Sequence, residues 1–240
     1  MLSYMDGVLF GDKHSYRDWG LILKSRPEIS PPVSKTVYVD IPGSDGIIDL
    51  TESLTGEVKY NNRTIKCEFW VTDAKNRWTD IYSAIMDYLH GQHMRIVFDE
   101  DPIYYYIGRL QVNEWKSQIA VSTITIEGNA EPYKMEMFSS LEDWEWDSFN
   151  FETGIIREYN NLRVDGTLTF TIPGTRKSII PAYTVVSDDG TGLKVKFNGV
   201  TYDLPDGTTR VVNIVIKSGE NTLEFMGSGT VSIDYRGGRL

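Results

Sequence analysis

Cysteine is nearly absent from this chain. Cys67 is the only one in 240 residues, so no intrachain disulfide can form and no cysteine cluster can hold zinc. Histidine is scarce as well. His14, His90 and His93 are the only three, too few and too scattered for a metal centre. No run approaches the roughly 20 consecutive apolar residues of a membrane-spanning helix. The start, MLSYMDGVLFGDKH, has neither a basic n-region nor a long apolar stretch, so no secretory signal peptide is expected. Asn62-Arg63-Thr64 is then a chance match to the glycosylation sequon. Basic excess is missing too. The formal charge is −10, and acids outnumber bases in both halves, 19 to 13 over 1–133 and 15 to 11 over 134–240. Neither half carries the footprint of a nucleic-acid reader, so no sequence-specific nucleic-acid binding is expected. The acidic balance serves solubility.

Catalytic signatures are lacking in the same way. There is no Gly-rich phosphate loop, no His-Glu-x-x-His and no Gly-x-Ser-x-Gly. Asp99-Glu100-Asp101 and Asp188-Asp189-Gly190 offer carboxylates, but not at the ligand spacing of a calcium loop, and both read as solvated turns. Nothing singles out a carboxylate pair for glycosidic cleavage. Cys67 alternates with Ile65, Phe69 and Val71, which makes it a buried core thiol rather than a nucleophile. His90 and His93 follow a predicted helix end, where an imidazole can meet the last carbonyls. Tyr104, Tyr105 and Tyr106, with Trp144 and Trp146, have faces that can stack on sugars or bases. In a β-rich chain such aromatics more often serve core or interface. No catalytic, cofactor or metal residue is selected, and no cofactor is expected.

What the chain does have is strand pattern. Apolar residues make up 40% and aromatics 12%, the composition of a globular protein. Val37, Val39 and Ile41 alternate with Thr36, Tyr38 and Asp40, a half-buried strand. The dense turn Pro42-Gly43-Ser44-Asp45-Gly46 follows, then the extended run Ile47 to Leu50. Together these predict a long hairpin. Ile47 and Ile48 point to opposite faces of it, so one of them is left for another chain to cover. Arg63 to Thr72 alternates again. One helix is predicted over Ala74 to His90, with Trp78, Ile81, Tyr82, Ile85 and Leu89 as its apolar stripe. Thr79, Asp80, Ser83 and Asp87 lie opposite, Asp73 is the N-cap and Gly91 follows the C-terminus. Met94 to Phe98, Ile103 to Leu110, Gln111 to Trp115 and Ile119 to Glu127 read as strands, the last two joined at Lys116-Ser117-Gln118.

The period breaks over Glu131 to Asp147, which places a domain junction there: residues 1–135 form one domain and 136–240 another. Beyond Trp146 there is no helical pattern. Short alternating runs follow one another: Phe149 and Phe151, Leu168/Phe170/Ile172, Leu193/Val195/Phe197, Val200/Tyr202/Leu204, Val212/Ile214/Ile216, Leu223/Phe225 and Val231/Ile233/Tyr235. Turns separate them, at Asp188-Asp189-Gly190, Asn198-Gly199 and Pro205-Asp206-Gly207. Such spacing means a β-sandwich or barrel, and Asn198-Gly199 specifies a tight hairpin.

Two N-terminal stretches, FGDKHSYRDWGLIL and VDIPGSDGIIDLTESLTGEVKY, together with WDSFNFETGII and GENTLEFMGSGTVSIDYRGG, resemble the distal tail proteins of long non-contractile-tailed bacteriophages. The resemblance spans nearly the whole chain through loose, positional motifs. It implies a mainly β protein: a tail-tube-like β-sandwich with one α-helix and an extended β-hairpin, then a galectin-like, jelly-roll sandwich. It implies a structural virion protein, made in the bacterial cytoplasm, that forms a hexameric ring at the tail tip, two rings stacking where tail partners are absent. The ring would join the tail tube protein to the tail-associated hub protein and adsorption or receptor-binding proteins, around a channel for DNA. Inserted carbohydrate modules of some relatives have no counterpart here. The candidate subunit contact is the hairpin tip, Pro42, Gly43, Asp45, Gly46, Ile47 and Ile48. Two other classes stay open: a carbohydrate-binding protein using the C-terminal sandwich for host attachment, and a cell-wall hydrolase.

Overall fold

The computed structural model describes residues 7–71, 78–116, 122–142 and 157–240. It is mainly β and divides into two compact units. One takes Met1–Asp101 and Tyr105–Pro132, the other Pro102–Tyr104 and Tyr133–Leu240.

The first unit opens with β1 (Val8–Phe10), β2 (Lys13–His14), α1 (Ser15–Trp19) and β3 (Leu21–Leu23). Next come β4 (Glu28–Ile29), β5 (Tyr38–Asp40), β6 (Ile47–Asp49), β7 (Arg63–Val71), α2 (Trp78–Leu89), β8 (His93–Phe98), β9 (Tyr104–Lys116) and β10 (Ser122–Ala130). The main sheet runs β2-β1-β8-β9-β10-β7-β3, all neighbours antiparallel. Alternation puts Ile65, Cys67, Phe69 and Val71 of β7 beside Ile124 and Ile126 of β10, and these form the core with Phe10 and Leu21. Ile85 and Leu89 of α2 are fully buried in that core, with Ile81, Tyr82, Met86 and Tyr88 packed beside them. Thr79, Asp80, Ser83 and Asp87 are exposed, so the predicted helical face is the observed one. Gly91 follows with φ 77°, a left-handed position where a side chain would be strained. The proposed cap Asp73 and start Ala74 lie outside the described residues.

Three local readings change. A second helix, α1, is present; at five residues it is too short to show a 3.6 period. Ile103 to Leu110 and Gln111 to Trp115 are one strand, β9, whose pairing with β10 shifts register between Thr125 and Ile126. The His90 imidazole serves β9 instead. Its Nδ1 accepts the backbone N–H of Val112 at 3.2 Å.

The second unit holds β11 (Lys134–Glu136), β12 (Leu162–Gly174), β13 (Ala182–Ser187), β14 (Leu193–Phe197), β15 (Val200–Leu204), β16 (Gly207–Thr209), β17 (Gly219–Asp234) and β18 (Gly238–Arg239). Its sheet order is β15-β14-β17-β13-β16, with β12 also on β17 and β11 paired to β18. The two runs Leu223/Phe225 and Val231/Ile233/Tyr235 belong largely to one 16-residue strand, β17, with Tyr235 just beyond its end. β17 pairs with β12 from Gly219 to Val231, while its other edge passes from β14, at Glu224–Met226, to β13, at Gly229–Asp234. The glycines that seemed to end a strand sit where β17 changes partners. Val212/Ile214/Ile216 is not a strand but a turn ending in a single bridge, Ile179 to Ile216. Ile214 and Ile216 are buried and Val212 is exposed. At Asn198-Gly199 the prediction is met: both residues take positive φ, 50° and 82°, and Phe197 pairs with Val200.

Candidate functional site

The segment between β3 and β7 leaves the core. Its root is pinned to the sheet: β4 pairs with β7 at Glu28–Lys66 and Ile29–Ile65, and Ser30 Oγ accepts the N–H of Thr64 at 2.8 Å. Further out the two limbs bond to each other. Lys35 N–H donates to Lys59 C=O at 2.8 Å, Asn61 N–H to Val33 C=O at 2.8 Å, and Ser34 bridges Tyr60. Beyond these lies a separate two-stranded ribbon, with Tyr38 opposite Asp49, Val39 opposite Ile48 and Asp40 opposite Ile47. Leu50 N–H donates to Val37 C=O at 2.8 Å and Val37 N–H to Thr51 Oγ1 at 3.1 Å, which extends the register by one pair. At the tip Ser44 N–H closes a turn on Ile41 C=O at 3.1 Å.

Register and pleat sort the side chains. Val37, Val39, Ile41, Ile48 and Leu50 fall on one face of the ribbon. Tyr38, Asp40, Ile47 and Asp49 fall on the other. Neither face is covered: Val39 is 40% exposed, Ile48 45% and Ile47 66%. The sequence reading was half right here. The hairpin and its five-residue tip are present, but the strand expected to be half-buried has no buried side at all. Alternation reveals that one face is apolar; it does not say whose chain covers it. Of the tip residues named from sequence, Pro42, Gly43, Asp45 and Gly46 are exposed, and only Ile48 of the two isoleucines shares the apolar face. Val37, Val39, Ile41 and Leu50 lie on that face with it. Ten of the seventeen exposed large apolar residues among the described ones lie between Ile29 and Leu54.

The other candidates resolve into structure. Asp99 Oδ2 accepts from Gly7 N–H and from His14 Nε2, both at 2.9 Å, while Glu100 faces Arg26 at 3.5 Å. Asp188 receives a two-pronged bond from Arg163 and a third from Ser228 Oγ, which hold its carboxyl below the usual carboxylate range. Asp189 accepts the N–H and hydroxyl of Thr191. Among the described residues no group of three His, Cys, Asp or Glu side chains is placed to hold a metal ion. Cys67 is 1% exposed, and burial pushes its thiol up to about 12. Tyr104, Tyr105 and Tyr106 are all buried, so none offers an open face for stacking. Tyr105 lies under Arg95 and Tyr106 stands edge-on to Phe98. Trp144 and Trp146 lie outside the described residues. A polar cleft of about 370 Å³ on the main sheet is lined by Thr64, Arg109, Gln111, Glu127, Asn129 and others. With His93 and Glu131 also in its lining, it gathers hydrogen-bonding groups of both charges.

No known family model matches the sequence, and no curated protein does. A solved structure does. The crystal structure of the SPP1 Dit protein (gp 19.1) is described as a paradigm of the hub adsorption apparatus in phages infecting Gram-positive bacteria. It aligns with a TM-score of 0.59 at 10% identity, covering 97% of this chain and 99% of that one.

The chain has the Dit fold.

At 10% identity the likeness is one of backbone path rather than side chains. The Dit fold thus accounts for the order of units and strands. It does not by itself assign a role to Val39 or Ile48, whose case rests on their exposure and register.

Proposed function

We propose that this protein is a structural component of a bacteriophage tail, a ring-forming distal tail protein. In this reading six copies close into a ring at the distal end of the tail tube. The ring joins the tube protein to the tip hub and the adsorption apparatus, and leaves a central channel for DNA. The observation that carries the proposal is the end-to-end likeness to a phage hub protein, 97% of one chain on 99% of the other, so that both units match in one order. The uncovered arm supports it. A ring forms when one surface of a subunit binds a different surface of the next and the rotation closes. The ribbon around Pro42–Ile48 is our candidate for one of those surfaces, with a second copy of the chain as its occupant. Its apolar face lacks cover within its own chain, and an exposed ribbon edge invites pairing. An acidic subunit also suits a conduit, because a cationic wall would retain phosphates through counterion release.

The test is mass and symmetry. Light scattering should give about six times the 27.3 kDa monomer mass, or twice that for stacked rings, and negative-stain images should show six-fold rings. A monomer at all concentrations, with no ring on isolated tails, overturns the reading.

A further inference from the structure

His14 stands in the turn that leads into α1. The imidazole is 3% exposed and used on both sides. Its Nδ1 accepts the backbone N–H groups of Tyr16 and Arg17, each at 3.2 Å, and so caps the first turn of α1. An atom that accepts carries no hydrogen, so the ring proton is on Nε2, which donates to Asp99 Oδ2 at 2.9 Å. Three charged groups among the described residues frame the ring and its turn. Asp99 comes from the loop after β8. Asp18 and Lys13 come from the ring's own turn, where Asp18 Oδ2 accepts the N–H of His14 at 2.7 Å and Lys13 lies 4.0 Å from Asp18 Oδ1. Glu100 faces Arg26 instead. Gly7 packs closely on the ring: a Cβ there would lie 2.5 Å from His14 Cε1.

We propose that protonation of His14 exchanges the N-cap of α1 for a charge-assisted bond to Asp99, releasing the first helical turn while holding the Gly7–Asp99 end in place. The second proton goes on Nδ1. That atom then faces two N–H donors, and the cap is replaced by donor–donor repulsion. The Nε2–H bond to Asp99 meanwhile gains the ring's full charge. The two effects oppose each other on opposite sides of one ring. The response is therefore local: Tyr16 and Arg17 lose their acceptor while Asp99 tightens its hold.

The experiment uses the full chain, followed from about pH 8 to about pH 5, the span in which histidine side chains ordinarily change charge. Amide protection factors, which remove the intrinsic pH dependence of exchange, should fall at Tyr16 and Arg17 on the order of tenfold. Imidazole nitrogen shifts of His14 should report the Nε2–H tautomer at the upper end and the cation at the lower. His14→Asn keeps a capping oxygen without a titrating ring, so its protection at Tyr16 and Arg17 should not change over this range. Protection at Tyr16 and Arg17 that stays constant while the ring becomes charged overturns the proposal. So does a ring that stays neutral throughout, or an equal fall in His14→Asn.

Discussion

Cys67 shows how much burial does to a single side chain. The thiol sits on the core face of β7 among Ile65, Phe69 and Ile126, where a thiolate has neither water nor a cation to stabilise it. Burial lifts the thiol from its ordinary 9.0 to about 12. At about pH 8 a thiol-specific reagent should leave the native protein unmodified and react in full once denaturant unfolds it. The linkage has a sign. The unfolded thiol ionises above 9.0 and the folded one only near 12, so stability is intact below 9.0 and declines as pH rises through that window. Cys67→Ser should flatten this alkaline decline in a urea series, at the cost of a buried hydroxyl. Rapid modification of the native protein at pH 8 would contradict the assigned face of β7.

Two elements carry apolar faces with opposite fates. On α2 the face is spent internally. Ile85→Ala should cost about 2–5 kcal/mol, the range for emptying a fully buried aliphatic site, whereas Thr79→Ala on the exposed side should cost little. Chemical denaturation of the two variants decides it, and equal small losses would refute the packing. On the arm the face is unspent in one chain. If a neighbouring subunit covers it, Val39→Asp and Ile48→Asp should each remove about 1.5–3 kcal/mol of apolar burial per contact and dissolve the ring into folded monomers. Ile47→Asp, on the other side of the ribbon, should be tolerated far better. Size-exclusion mass with amide exchange reads the outcome. A ring that survives Ile48→Asp excludes this face as the contact, and a ring lost only in Ile47→Asp would mean the opposite face is used.

At the scale of the whole molecule, each unit has its own core. Phe10, Phe69, Ile85 and Ile124 anchor one; Tyr183, Phe225, Ile214 and Ile233 anchor the other. A fragment beginning at Tyr133 should therefore fold alone and stay monomeric, with resolved amide spectra and a cooperative thermal transition. Ring formation should remain with the N-terminal portion that bears the arm. An unfolded C-terminal fragment would mean that the second core depends on the first unit.

Much of this was legible in the sequence, because alternation and turn chemistry act over a few residues. β7, β14 and the Asn198-Gly199 hairpin follow from local pattern alone, and so does the buried face of α2. The absences were equally local: one cysteine and three histidines left little chemistry to place. What pattern missed depended on contacts distant in sequence. Leu223/Phe225 and Val231/Ile233/Tyr235 read as separate runs, and only the pairing of β17 with two different neighbours on one edge shows that one strand passes through Gly227 and Gly229. His14 looked like an isolated histidine, and its role exists only because Asp99, 85 residues away, lies 2.9 Å from its ring. The arm marks the boundary between the two kinds of information. Alternation at Val37, Val39 and Ile41 established that a face is apolar, since side chains in a strand must point to opposite sides. Whether that face is core or surface depends on what the rest of the chain folds against it, and here Val39 and Ile48 stay 40% and 45% exposed.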